Sequence, residues 1–495
     1  MKKNNSNKKI YIFFFLILFF VTLLIVHKGF QNDTFYTIKV GEIIDKYGVD
    51  MKDHFSFVKG LSYSYPHWLY DLIIYKLYSF AGFRGLFISN IVLTYTLLTT
   101  MFLTIKKIIK DGGIAFLITC LFSPFLSGFI TVRAQLVSYI LLLLILYCIE
   151  MIRSTGKNRY IIISFILSIL VVNIHCAVFP FIFVLFLPFL TSDLIYVLKN
   201  KFFSKTELID NNSAILSIDK PSNDKKMFLM VILILISGFL SPNAPYAYLY
   251  LPFILMGNST SYILEHMPAS IQNNVFIYFF LLLFILILLI PKVKIKLHDL
   301  FMILGLFIMS FLSIRSFSLF VVMSIYAFAR ISYVITYNKL KHIKLIDAFK
   351  YKHFYIILFL LASTGATVSF YFELKNDYVA KNQYPVEMVK FIKDNYDYKN
   401  IRILNDYNFG SYLLYNDIPV FVDSRSDLYL PQFNKDNTQF IDFMEIIPRY
   451  KIVLQKYDFT HILIYNKANF NRILDNIEEY KLVKQDKYYS LYEKR

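Results

Sequence analysis

Cysteine is scarce in this chain of 495 residues, and all three, Cys120, Cys148 and Cys176, lie in apolar sequence. That excludes a disulfide framework and a CxxC metal pair. Tryptophan occurs once, at Trp68. Charged residues make up 17% of the chain, against about 25% in an ordinary soluble domain. They are unevenly placed as well, and the stretch from Pro242 to Asn274 has no Lys or Arg at all. Low-complexity tracts and soluble-type repeats are absent, and no nucleic-acid motif accompanies the net charge of +18.

Apolar sequence fills the space instead: 57% of residues are hydrophobic and the mean hydropathy is +0.52. A bilayer core about 30 Å thick takes roughly 20 apolar residues as helix. Eleven stretches approach that length, at about residues 10–28, 83–105, 113–130, 135–152, 160–174, 177–198, 227–241, 273–290, 299–314, 317–336 and 353–373. They predict a polytopic α-helical membrane protein with about 11 transmembrane helices. Several are short, so one or two are expected to be re-entrant. The first follows Lys2, Lys3, Lys8 and Lys9 but lacks a small-residue cleavage site, which marks an uncleaved helix rather than a signal peptide.

Basic residues orient such a bundle, because Lys- and Arg-rich short loops stay in the cytoplasm. The N-terminus, Lys106/Lys107/Lys110, Arg153/Lys157/Arg159, the polar loop 199–226, Lys292/Lys294/Lys296 and the segment 339–352 form one set. The first loop of the opposite set has five Lys between Lys28 and Lys59, balanced by Asp33, Glu42, Asp45, Asp50 and Asp53. The expected arrangement in the plasma membrane is a cytoplasmic tail over 1–9, a transmembrane domain over 10–373 with its first outer loop at 31–82, and a small extracytoplasmic α/β domain over 380–495. The net positive charge then anchors the inner surface to anionic membrane lipid. In the outer domain, 401–404, 420–422, 461–464 and 488–492 read as strands, and 385–395 and 440–455 as helices. At roughly 110 residues it is large enough to fold alone.

In the first outer loop, Tyr36, Val40, Ile43, Ile44 and Tyr47 recur at helical spacing, which predicts a short amphipathic helix on the membrane surface ending at Gly48. Asp33 just before it suits an N-cap. A carboxylate at the membrane–water boundary equally suits general-base work.

The run DTFYTIKVGEIIDKYGVDMKDHFSF followed by YPHWLYDLI carries an early Asp33, Gly41 with Glu42, Asp53 before Phe55 and Ser56, and Trp68 with Leu69. TVRAQLVSY, VNIHC, the Ser241-Pro242-Asn243 turn, NDYNFGSYLLY and VFVDSRSDLY follow along the chain. In these features the sequence resembles the GT-C superfamily of membrane glycosyltransferases, and within it a group of large bacterial GT-C-like proteins. The resemblance implies transfer of a sugar from a polyprenyl-phosphate donor to a cell-envelope glycan or protein acceptor on the outer face. It places the base on Asp33, with Glu42 and Asp53 as the acids from which a partner would come.

Other residues are singled out by position. Arg133 and Arg315 fall near the outer boundary, where an intramembrane charge is costly unless paired. Either would suit the donor phosphate, and a loop acid such as Glu265 is the competing partner. His175 lies beside Asn173 and suits an interhelical hydrogen bond as well as a ligand. His54, His67 and His266 lie on the same side, but no pair has metal-ligand spacing, so no cofactor is expected, although these histidines with the loop acids leave a divalent ion open. Trp68 and its tyrosine neighbours read as an interfacial belt or a sugar-stacking platform. Asp406 and Asp423 would emerge at strand ends, where α/β sheets bind ligands. Asp423, Arg425 and Asp427 also suit a plain salt-bridge cluster. A lipid-linked saccharide transporter or a non-catalytic assembly protein is the alternative. A transporter should carry midplane charges and internal repeats, whereas here the charges gather at one face.

Overall fold

The computed structural model describes residues 2–202, 216–257, 262–290, 293–338 and 352–495. The 199–226 loop falls partly, and the basic segment 339–352 almost wholly, outside these. Each of the eleven apolar stretches carries helix, and the protein is a helical membrane protein. Five helices among the described residues are long and apolar enough to cross a bilayer: Trp68–Ile109, Gly112–Phe129, Ala134–Thr155, Cys176–Lys201 and Phe354–Lys375. Ser316–Met323 and Ile325–Tyr337, bent by 43° at their junction, make a sixth if they act as one span. The others are shorter. Ile10–Ile25, for example, covers about 24 Å at 1.5 Å per residue.

Three pieces position the site. The helix α1 (Lys2–Ile25) leads into α2 (Asn32–Tyr47), and α2 packs against the start of α3 (Trp68–Ile109). Gly82 breaks α3 with φ +59°, ψ −160°, a conformation that favours glycine, and separates the segment on α2 from the apolar run expected from residue 83. At Gly41 the approach of α2 to α3 leaves no room for a side chain: a Cβ there would lie 2.1 Å from the Asp71 carbonyl oxygen.

Two expectations about α2 are corrected. It starts at Asn32, so Asp33 stands in its first turn; the N-cap is Gln31, with no side-chain cap bond. The helix does not lie on a surface either, since Phe35, Ile38, Val40 and Ile44 are buried, and its other neighbour is the helix Tyr407–Tyr415.

The C-terminal unit carries a four-stranded sheet. Ile403–Asn405 pairs parallel with His461–Tyr465, which pairs antiparallel with Tyr489–Lys494, and that with Tyr480–Gln485. The segment 420–422, expected as a strand, stays outside this sheet. Val420 instead bridges Ser56 of the first loop, with the Val420 N–H donating to the Phe55 carbonyl at 3.1 Å. Gly410 packs its helix onto the same segment; a Cβ there would lie 2.0 Å from the Val422 carbonyl oxygen.

The first loop and the C-terminal unit are interlocked. Arg425, fully buried, donates to Asp53 at 2.6 Å and to both oxygens of Asp423 at 2.9 and 2.7 Å. The Tyr429 hydroxyl donates to Asp423 at 2.8 Å, and the guanidinium lies over the Phe55 and Tyr63 rings. Asn434 exchanges two hydrogen bonds with the Ser62 backbone, and Ser64 donates to Asp427.

Candidate active site

A cavity of about 780 Å³ opens between the helical part and the C-terminal unit. Four helices begin at its wall. Gln31, Asn32 and Asp33 open α2; Arg133 precedes Ala134–Thr155; Arg315 precedes Ser316–Met323; Asp406 caps Tyr407–Tyr415, its carboxylate accepting from the Asn408 N–H at 2.9 Å. Helix N-termini carry partial positive charge and favour anions. Two of these starts carry an acid, Asp33 and Asp406, and two carry an arginine.

Arg133 joins the helical wall together. Its guanidinium is 2.7 Å from the Asp33 carboxylate and 3.1 Å from that of Glu265. The Glu265 carbonyl accepts from the Arg315 N–H at 3.0 Å and the Ser313 hydroxyl at 3.2 Å, which fixes Arg315 beside it. Burial disfavours the ionised Glu265, but Arg133 and then Arg315 outweigh it and hold the carboxyl down at about 2. Burial, followed by the charge of Arg315, pushes His266 down to about 4. At neutral pH Glu265 is therefore ionised and the His266 imidazole neutral, beside Asp33, Arg133 and Arg315 on the helical wall. The opposite wall is Asn405, Asp406, Tyr407, Asn408, Ser424 and Ser426, with an apolar lip that includes Phe443 and Ile447.

Of the residues singled out from sequence, Asp33, Arg133, Glu265, His266, Arg315 and Asp406 meet in this cavity. The rest lie elsewhere. Glu42 is bound by Lys39 and Lys46, both at 2.6 Å. Asp53, Asp423 and Arg425 form the buried interlock and are closed to solvent. His54 pairs with Asp50. His67 and His175 stack edge to face, His175 sharing a hydrogen bond with Ser138 at 2.8 Å. Trp68 donates from its indole to Asn173, so its ring is tied to the helical packing.

Sequence reasoning did not single out Gln31, Asn32, Tyr262, Tyr407 or Asn408. Asn32 donates to the Tyr407 carbonyl at 2.9 Å, closing the cavity floor. The signal for the last two was present in NDYNFGSYLLY, where an Asp-capped helix start displays the two residues that follow.

Among the described residues one acidic group has metal-like spacing, Glu150, His298 and Asp299. Arg330 already bonds to both carboxylates, and Glu150 lies 17 residues beyond Arg133 on the same helix, about 25 Å away at 1.5 Å per residue. This network is separate from the cavity.

Comparison with solved structures reveals the fold. ArnT from Cupriavidus metallidurans bound to undecaprenyl phosphate superposes with a TM-score of 0.56 at 10% identity, over 98% of both chains. Its apo form gives 0.55 at 10%, over 99% of this chain and 98% of that one. The apo oligosaccharyltransferase of Archaeoglobus fulgidus gives 0.55 at 12%, over 92% of this chain and 69% of that one. No protein-family model and no curated protein sequence matches. The chain has the fold of the GT-C membrane glycosyltransferases.

Proposed function

We propose that the protein is a glycosyltransferase that moves a sugar from a polyprenyl-phosphate carrier to an acceptor of the cell envelope on the outer face of the membrane. The observation that carries this reading is the Asp33–Arg133–Glu265 chain beside Arg315 on the wall of one cavity. It is supported by the similarity of the whole chain to a structure that holds undecaprenyl phosphate.

The donor phosphate binds at Arg133 and Arg315, where two helix N-termini add to the guanidinium charge. Arg133 then bonds to phosphate rather than to Asp33, and the freed Asp33 carboxylate takes the proton of the acceptor hydroxyl. The acceptor oxygen forms a bond to the anomeric carbon as the bond from that carbon to the phosphate oxygen breaks. Polyprenyl phosphate leaves with its charge held by the arginines, and the anomeric configuration inverts. The basic-loop pattern puts the N-terminus in the cytoplasm and the cavity outside.

Mass spectrometry of envelope glycans from cells with and without the protein tests this. Loss of a single sugar from one glycan, with accumulation of its lipid-linked donor, is the expected result. The transporter alternative draws on the Glu150–Arg330–Asp299 network inside the apolar helices. It predicts loss of a whole saccharide from the outer face instead.

A further inference from the structure

The charges of the cavity are segregated. The helical wall holds Asp33, Arg133, Glu265 and Arg315, formally balanced, while the only charged side chain that the C-terminal unit contributes to the lining is Asp406. Around it stand Asn405, Asn408, Asn469, Ser424 and Ser426, all neutral hydrogen-bonding groups. Among the described residues no Lys or Arg forms an ion pair with Asp406. Its carboxylate accepts the helix-capping bond from the Asn408 N–H at 2.9 Å, and the Asn408 side chain also bonds to it. Burial raises its pKa, as it does for a carboxyl without a counter-cation.

An anionic acceptor would meet a carboxylate that no Lys or Arg is paired with, in a half-enclosed space where charge interactions are strong. A hydroxylated acceptor with an ammonium group would supply the missing counter-charge through a charge-assisted hydrogen bond and match the surrounding amides and hydroxyls. We infer that the C-terminal wall binds an amine-bearing saccharide as acceptor, selected by Asp406. This rests on the glycosyltransferase reading for the word acceptor, and on the cavity lining for the chemistry.

Asp406 also caps a helix. Asn caps about as well as Asp, so Asp406→Asn removes the charge and keeps the cap. The test uses the full chain in lipid nanodiscs, with Cys120, Cys148 and Cys176 replaced and Asn469→Cys as the reporter, since Asn469 is exposed on this wall. Maleimide labelling is followed with three probes: a glucosamine tetramer, an N-acetylglucosamine tetramer and a galacturonic acid tetramer. The expected result is protection by the glucosamine tetramer, weakened about tenfold by Asp406→Asn, less protection by the neutral tetramer and none by the anionic one. Equal protection by the anionic tetramer, protection unchanged in Asp406→Asn, or protection by no probe would overturn the inference. No donor is present, so transfer plays no part. If envelope glycans show Asp33-dependent transfer to an anionic acceptor, the inference fails and the transferase reading stands. If the amine binds through Asp406 but the glycans do not change, the transferase reading fails and the amine-binding wall stands.

Discussion

The Asp53 carboxylate lies 2.6 Å from the Arg425 guanidinium, across 372 residues of chain, with both side chains closed to solvent. The first loop therefore completes a charge network that the C-terminal unit cannot complete alone. Removing one partner of such a pair leaves the other buried without it, at about 3–5 kcal/mol. Asp53→Ala should lower the thermal unfolding temperature markedly, and Arg425→Ala should do so as strongly. The isolated fragment 380–495, large enough to fold by its size, should be less stable by circular dichroism than the same fragment with a peptide covering 50–65 added.

Gly41 supports the site at a distance. Gly41→Ala would bring a methyl group to 2.1 Å from the Asp71 carbonyl oxygen, and overpacking of this kind costs about 1–3 kcal/mol. Because α2 carries Asp33, the expected outcome is lower stability together with reduced glycan transfer. Gly48→Ala, with open space around it, should show strain at its positive φ but spare the site. Differential scanning fluorimetry and the glycan profile separate the two.

Glu265 gives a pH signature. Its folded pKa, about 2, lies below the usual carboxyl value of 4.5, so the unfolded state binds the proton more readily. The contribution of this group to stability is present above pH 4.5 and fades as pH falls towards 2. The stability difference between wild type and Glu265→Gln should shrink over that window. In an Arg133→Gln background, without the guanidinium that depresses the pKa, the acid dependence should move up towards the ordinary carboxyl range.

The basic-loop pattern predicts sidedness. Single cysteines in the 216–223 segment and at exposed Lys481, in a background lacking Cys120, Cys148 and Cys176, should differ in labelling by an impermeant thiol reagent. Labelling at Lys481 alone, from outside, fits the proposed orientation. Labelling of both would overturn it.

Hydropathy located the helices, and the break at Gly82 falls where the apolar run after it was expected to start. Helix lengths were less legible, because apolar runs continue through changes of helix type such as the 3-10 segment Ser123–Phe129. Arg133 and Arg315 stood out because charge near apolar sequence is costly and conspicuous, Glu265 as a loop acid that could pair with them, Asp33 by its place before the loop helix and by the resemblance, and Asp406 by its place at a strand end. Their convergence on one cavity depends on the contact of Asn32 with the Tyr407 carbonyl, and on the antiparallel run of 265–269 beside 311–315, which leave no periodic trace. The same holds for Asp53: its acidity was visible, but not that a distant Arg425 would bury it and close it to substrate. Val420–Val422 read as strand from its β-branched residues, yet its partner is the first loop rather than the sheet.

The proposed chemistry turns on Asp33. Asn at this position keeps the size of the side chain and a hydrogen bond to Arg133 but cannot act as the base, whose loss should slow transfer about a hundredfold or more. The direct measurement is the envelope glycan profile of a knockout complemented with Asp33→Asn, at expression and thermal stability matched to wild type. The account predicts that the missing sugar is not restored. Full restoration would show that Asp33 only holds Arg133 in place, and would contradict the catalytic role on which the proposed function depends.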